Sequence, residues 1–412
     1  GRIRRIAPAA EVDAAGARVI DAAGKAVLPG WINAHMHFYS TLVRGLGKAK
    51  PSRDFVEQLR NLWWRLDRQL TLDDTYVSAL VMALAAVRSG TTTLIDHHAS
   101  PGAVAGSLDA IARAVKEAGL RACLCYEVSD RDGAEVARAG LEENAAFIRR
   151  CRDENDPQLR ALFGLHAAFT LGDATLDRAA AMGRELGAGF HVHTAESPAD
   201  QEHNVREHGQ RVVRRLRDHG LLGPGTLCAH CVHVDDVELD LLAETQTMAA
   251  HNPQSNLNNA VGIADLVAMA RRGITTGLGT DAMTVRMLEE LRVALWAQHL
   301  RQNCPTAAFM EVTDTLLVHN PAIASRLWGF PLGRLAEGAA ADLVLVDYDP
   351  PTPLEPATVR GHVVFGLSQS VVDTTVAGGR VLMAGRRLEL DVDEAALAAR
   401  ARELAASLWD RF

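Results

Sequence analysis

Hydrophobic positions along this chain follow two rhythms in turn. Short continuous apolar runs at 31–35, 92–96, 121–126, 161–166, 189–193, 226–230, 247–251 and 274–281 have the length of buried strands. Between them, apolar residues recur at helical spacing and predict helices over 72–89, 103–118, 134–150, 175–186, 202–219, 234–244, 263–272 and 287–299. Eight strand–helix alternations predict the α/β class and a (β/α)8 barrel of the TIM type. Nearly every strand run ends on a polar residue: His35 and His37, Asp96 and His97, Tyr126 and Glu127, His166, His193 and Glu196, His230 and His233, His251 and Asn252, and Asp281. In such a barrel the C-terminal strand ends share one rim, and that rim carries the chemistry.

The two ends of the chain follow a different pattern. Short alternating pieces at 18–21, 341–347, 362–365, 371–377 and 379–383 are separated by Gly and Pro and read as short strands. They predict a small β-sandwich built from both termini, residues 1–28 plus 338–390, beside a barrel spanning 29–337. A helix is expected in the remainder, 391–412.

Composition narrows the function classes. A chain of 412 residues, 48% hydrophobic and 23% charged, suits one barrel with a small satellite. The net charge of −8 supplies no basic field for nucleic acid. The basic stretch 211–217 is accordingly expected to be the solvated face of a helix. No apolar run is long enough to cross a bilayer. The chain opens Gly1-Arg2-Ile3 without an initiator Met or the apolar core of a signal peptide, so trimming of its start is expected. Cys123, Cys125, Cys151, Cys228, Cys231 and Cys304 mostly sit in apolar runs, which suits reduced thiols in a cytoplasmic protein. Cys228 and Cys231 have metal-site spacing, yet strand alternation sends them to opposite faces and no second ligand pair lies nearby.

The chemistry gathers around histidine. His35 and His37, two apart on a strand, point to the same side and can grip one ion from a rigid segment. His193 at the fifth strand end and Asp281 at the eighth complete a set of three nitrogens and one carboxylate, suited to Zn²⁺ or Fe²⁺ with a position open for water. A divalent ion brings the pKa of its water toward neutrality, making a hydroxide nucleophile. Glu196, three residues beyond His193, is placed to shuttle a proton, and His230 to orient the water or polarise the attacked bond. His97 and His98 read as rim residues fixing loops; His203, His208 and His219 read as solvated or locally bonded.

These motifs carry a resemblance. Leu28-Pro29-Gly30-Trp31-Ile32-Asn33-Ala34-His35-Met36-His37, His193-x-x-Glu196, Ala229-His230-Cys231-Val232-His233, His251-Asn252-Pro253-Gln254-Ser255-Asn256, Gly279-Thr280-Asp281 and the tail Ala336-Glu337-Gly338 through Asp342-Leu343-Val344 resemble the amidohydrolase superfamily over essentially the whole length. The resemblance implies His35, His37, His193 and Asp281 as metal ligands, Glu196 as proton shuttle, His230 as the water-orienting histidine and Asp281 also as a catalytic residue that accepts a proton from the water. Binuclear relatives bridge two metals through a carboxylated lysine at the fourth strand end. Here the only lysines are Lys25, Lys48, Lys50 and Lys116, and His166 stands at that rim position. The resemblance therefore implies one metal, Zn²⁺ before Fe²⁺, and the aminohydrolase and chlorohydrolase subgroup. The expected activity is release of ammonia from a purine, pterin, pyrimidine or adenosyl-type ring. A triazine-type chlorohydrolase, a cyclic amidohydrolase and a metal-free scaffold protein stay open as alternatives.

His166 matches a substrate-contacting histidine of the adenosine-type deaminases, and Trp63, Trp64, Tyr126, Arg131 and Met283 are the further expected pocket residues. The stretch 125–133 looks most like a branch of aminohydrolases associated with selenium metabolism and departs from the adenosine-type pattern. The resemblance also implies a homodimer or higher homo-oligomer acting on a small molecule, while the charge and the apolar runs argue against nucleic acid and membrane as partners.

Overall fold

The computed structural model of the chain describes residues 1–22 and 24–412. Its strands, in chain order, are β1 (Ala26–Pro29), β2 (Trp31–Met36), β3 (Thr91–Asp96), β4 (Arg121–Leu124), β5 (Leu159–Ala161), β6 (Phe163–Ala167), β7 (Phe190–Thr194), β8 (Leu227–His230), β9 (Met248–His251), β10 (Thr276–Leu278), β11 (Leu343–Asp347), β12 (Val371–Ala377), β13 (Arg380–Ala384) and β14 (Arg387–Leu388). Two parallel arcs, β2-β3-β4-β5 and β10-β9-β8-β7-β6, make a TIM-like barrel, with β5 and β6 as one strand interrupted at Leu162. Helices between the strands bury the apolar faces that their spacing predicts. The helix Leu72–Ser89 shows how tightly local signals place them. A Thr71/Asp74 capping box starts it, and Gly90, at φ +76°, ends it in the left-handed turn that leads into β3.

The arcs close at two seams, each stitched by one buried asparagine. Between β2 and β10, Asn320 Oδ1 accepts from Leu278 N at 2.8 Å while Nδ2 donates to Ile32 O at 2.6 Å and Leu278 O at 2.9 Å. Between β4 and β6, Asn144 Oδ1 accepts from Tyr126 N at 2.9 Å and Gly164 N at 3.2 Å, and Nδ2 donates to the carbonyls of both residues. Backbone groups left unpaired where the ladder breaks are costly when buried, and these amides satisfy them.

Both termini feed a second sheet, antiparallel, in the order β1-β11-β12-β13-β14. Among the described residues it is one five-stranded sheet, with no facing second sheet. Two expected strands are absent. Residues 18–21 form none: Val19 is exposed, and Arg18 reaches out to pair with Glu389. Residues 362–365 lie in the helix Val359–Phe365, which buries Val363 and Val364 in the main apolar core and leaves Phe365 exposed. A three-residue apolar run fits either period, so packing decided it. The predicted helix at 202–219 is two helices, Pro198–His208 and Val212–Asp218, broken at Gly209 with φ +66°.

Arg215, expected on a solvated face, is instead 2% exposed. It donates to Ala168 O at 2.8 Å and Leu171 O at 2.7 Å, and pairs with Asp173, so it ties down the loop after β6. The helix Glu394–Arg411 packs Leu404 and Leu408 against Tyr39, Leu42 and Leu66. All six cysteines are free thiols and five of them are buried. No single helix among the described residues is long and apolar enough to cross a membrane.

Replacing Asn320 with Leu removes three buried hydrogen bonds and leaves backbone groups unpaired, so a loss of about 3 kcal/mol is expected. Urea unfolding measures it; an unchanged midpoint would show that the seam does not depend on this amide.

Candidate metal centre

The rim residues converge because the seam between β2 and β10 forces them together. The amides of Thr280 and Asp281 both donate to His35 O, at 2.8 and 3.0 Å, which lays the turn after β10 against the end of β2. Ala195, His230 and Asp281 follow or end strands with φ between +48° and +73°, a conformation that non-glycine residues seldom adopt and that aims side chains off the strand path.

The result is a buried ring of imidazoles around one point. His37 Nε2 lies 2.9 Å from Asp281 Oδ1 and 3.3 Å from His193 Nε2, and His35 Nε2 lies 3.9 Å from Asp281 Oδ1. Ligands at zinc bond lengths around a tetrahedral ion stand roughly 3.3 Å apart. His35 Nε2 and His230 Nε2 are buried and have no hydrogen-bond partner, as expected of atoms waiting for an electrophile. The other ring nitrogens are held from behind. His37 Nδ1 donates to His97 O at 2.5 Å and His193 Nδ1 to His166 O at 3.0 Å. His35 Nδ1 meets His191 Nε2 at 2.9 Å, and His191 Nδ1 in turn faces Cys125 Sγ at 3.6 Å. Each such contact leaves Nε2 free toward the centre. His35, His37, His193 and Asp281 therefore fit a divalent ion, and Lys25, Lys48 and Lys116 are spent on outward ion pairs with Asp347, Asp410 and Asp156.

Charge in the ion-free cluster is sharply divided. Burial keeps His35 and His193 neutral, holding them well below the usual imidazole range. Burial pushes His37 the same way, but the Asp281 and Glu127 carboxylates outweigh it and raise His37 to about 10. Burial would raise Asp281, yet the imidazoles of His37, His230 and His193 hold it well below the carboxylate range. Burial, then the Asp281 charge, push Glu196 well above its ordinary value. Its Oε2 lies 3.6 Å from His230 Nε2, whose ring is fixed by Asn256 at 2.8 Å.

A cavity opens over this cluster. Of the expected pocket residues, Trp63, Trp64, His166 and Met283 line it together with His37, His193, Glu196 and Asp281. Tyr126 does not: its ring packs between His98 and Gly140, and its hydroxyl accepts from Ser100 N. Arg131 stands behind the wall, bonded to Asp67 at 2.5 Å. Tyr39, Asp67, Glu127, Asp200 and Asn259 also line the cavity. Asp67 sits inside a helix and Asn259 just past one, with no strand-end signal to mark them. Glu127 carried that signal, ending the third strand run.

The sequence matches the amidohydrolase family over residues 26–382. The chain belongs to this family. Among its relatives, a 5-methylthioadenosine/S-adenosylhomocysteine deaminase of Haloarcula marismortui is 35% identical over 95% of this chain and 89% of its own. One of the same description from Desulforudis audaxviator is 34% identical over 91% and 85%. A 5'-deoxyadenosine deaminase of Methanothermobacter thermautotrophicus is 31% identical over 90% and 85%. In fold, the chain resembles a zinc-bound adenosine deaminase of Xanthomonas campestris with a TM-score of 0.82 at 24% identity, covering 93% of this chain and 86% of that one. It also resembles the zinc-complexed atrazine chlorohydrolase of Arthrobacter aurescens, with a TM-score of 0.80 at 21% identity over 96% and 92%.

Two measurements probe the centre. A nitrogen that must lose a proton to bind metal makes affinity rise with pH. With His37 protonated up to about pH 10 in the ion-free protein, zinc uptake should release one proton, and apparent affinity should rise about tenfold per unit between roughly pH 6 and 9. Chelator competition across that range reads it, and a flat profile would show that His37 carries no extra proton before the ion binds. Replacing His191 with Leu deprives His35 Nδ1 of its acceptor, and zinc affinity should fall about 10- to 100-fold. Equal affinity in the variant would show that His35 needs no such support.

Proposed function

We propose that this protein is a metal-dependent aminohydrolase that releases ammonia from an adenosine-type nucleoside, with His35, His37, His193 and Asp281 holding one divalent ion, zinc before iron. The observation that carries the reading is the convergence of three imidazole Nε2 atoms and a carboxylate beneath a cavity that also holds a protonatable Glu196. The likeness to deaminases of adenosyl compounds supports it. When bound, the ion acts as a Lewis acid that activates the attacking water.

The residues of the chain divide the remaining work. Glu196, in the cavity wall beside His230, takes a proton from the water as a carboxylate and gives it up on the leaving-group side. The carboxylate of Asp281 remains ionised and accepts a hydrogen bond from that water. His230, held neutral by burial at a pKa of about 4, lies between Glu196 and Asp281 and orients the water toward the ring carbon. The addition of water and loss of ammonia convert a ring C–NH2 into a ring C=O, so atoms balance with no other reactant. Trp63, Trp64 and Phe169 offer flat apolar surface to a heterocycle, and His166 stands at the opening beside them.

Ammonia release from adenosine, 5'-deoxyadenosine and 5'-methylthioadenosine by the zinc-loaded chain tests this directly. The Glu196→Gln variant should retain zinc and lose at least about 100-fold in turnover. Undiminished turnover would dismiss the proton-shuttle role, and no ammonia from any nucleoside would dismiss the substrate class.

A further inference from the structure

One wall of the cavity holds polar groups that the ring of imidazoles does not use. Glu127 lies on the Nδ1 side of His37, while Asp281 lies on its Nε2 side. Its Oε1 is wedged 3.3 Å from His37 Nδ1 and 3.4 Å from His97 Nδ1 and has no hydrogen-bond partner. The His37 proton is already given to His97 O. The other oxygen, Oε2, stands 3.8 Å from His166 Nε2 on the cavity side. Beside Glu127, Trp64 Nε1 and Asp67 Oδ1 are likewise buried and unpartnered. Buried polar atoms are almost always satisfied, so a cluster of orphans lining a cavity marks where a polar ligand belongs.

We propose that Glu127 is a specificity-determining residue whose cavity-facing Oε2, with His166 beside it, takes up an O–H or N–H donor of the substrate. Oε2 is the acceptor that faces the cavity, and His166, its Nδ1 engaged by Thr170 Oγ1 at 2.8 Å, sets the edge of that subsite. Such a donor has two sources, a hydroxyl of a ribose or the ring N–H or amino group of a 2-aminopurine or pterin.

The cavity also refuses anions. Asp67, Glu127, Glu196, Asp200 and Asp281 all line the cavity, and the nearby Arg131 guanidinium is neutralised by Asp67 and Asp132. Among the described residues that line the cavity there is no lysine or arginine to receive a phosphate, so the subsite selects nucleosides or free bases over nucleotides.

The assignment rests on the aminohydrolase reading for its purpose, but binding tests it without turnover. Calorimetry on the zinc-loaded full chain compares purine riboside with its 2',3'-dideoxy analogue, and 2-aminopurine with purine, in the parent, Glu127→Gln and Glu127→Ala. Purine riboside 5'-monophosphate serves as the anionic probe. The parent should favour the donor-bearing member of one pair by about 10- to 100-fold. Glu127→Ala should erase that preference and Glu127→Gln reduce it, with bound zinc and melting temperature unchanged. Which pair responds identifies the source of the donor. Equal preference in parent and variants for both pairs would overturn the proposal. A second zinc equivalent lost on substitution would also overturn it, because Glu127 would then be a metal ligand. Tight binding of the monophosphate would refute the exclusion of anions. Ammonia release is scored separately, so a chain that binds these probes through Glu127 but deaminates nothing leaves the subsite standing and removes the aminohydrolase reading.

Discussion

Everything at the rim depends on the hydrogen bonds from the amides of Thr280 and Asp281 to the carbonyl of His35. They join the first and last strands of the barrel, and they bring a carboxylate from residue 281 to within 2.9 Å of an imidazole from residue 37. Asn320 secures the same seam from below by bonding across Ile32 and Leu278. Closure of the barrel and assembly of the ligand set are therefore one event. A change that loosens the seam should disturb both.

The cluster is electrostatically unfavourable without an ion. Several imidazoles crowd one another at ring separations near 5 Å, and burial denies them water. A buried group of this kind is kept only where something compensates it. Acceptors behind His37 and His193 turn their lone pairs inward, and the His191–Cys125 contact does so for His35. The left-handed residues at 195, 230 and 281 add backbone strain at the same rim. A divalent ion relieves the crowding that the fold has arranged.

The cavity walls separate two kinds of work. In the proposed reaction Glu196, His230 and Asp281, on one side, handle the proton and the water. On the other side Glu127 and Asp67 present the polar surface to which the proposed subsite belongs. Fold alone settles neither task, because one fold hosts sites of different specificity.

What the sequence determined by itself follows from local periodicity. Eight apolar runs ending in polar residues place His35, His37, His193, His230 and Asp281 at strand ends, and a barrel brings strand ends to one rim. The spacing of His193 and Glu196 depends on one short turn, so it too was legible. Tertiary structure alone decided the partners and the directions. Tyr126 ends a strand run yet turns away to pack against Gly140, and Arg215 sits in a basic run yet is buried under the loop after β6. Residues 362–365 have a strand's composition and form a helix because a core needed Val363 and Val364 on one face. Asp67, in a helix with no motif, reaches the cavity through its bond to Arg131, 64 residues away. Short-range patterns fix which residues reach the rim, but partners distant in the chain are chosen only when the barrel closes and buried polar atoms must find one another.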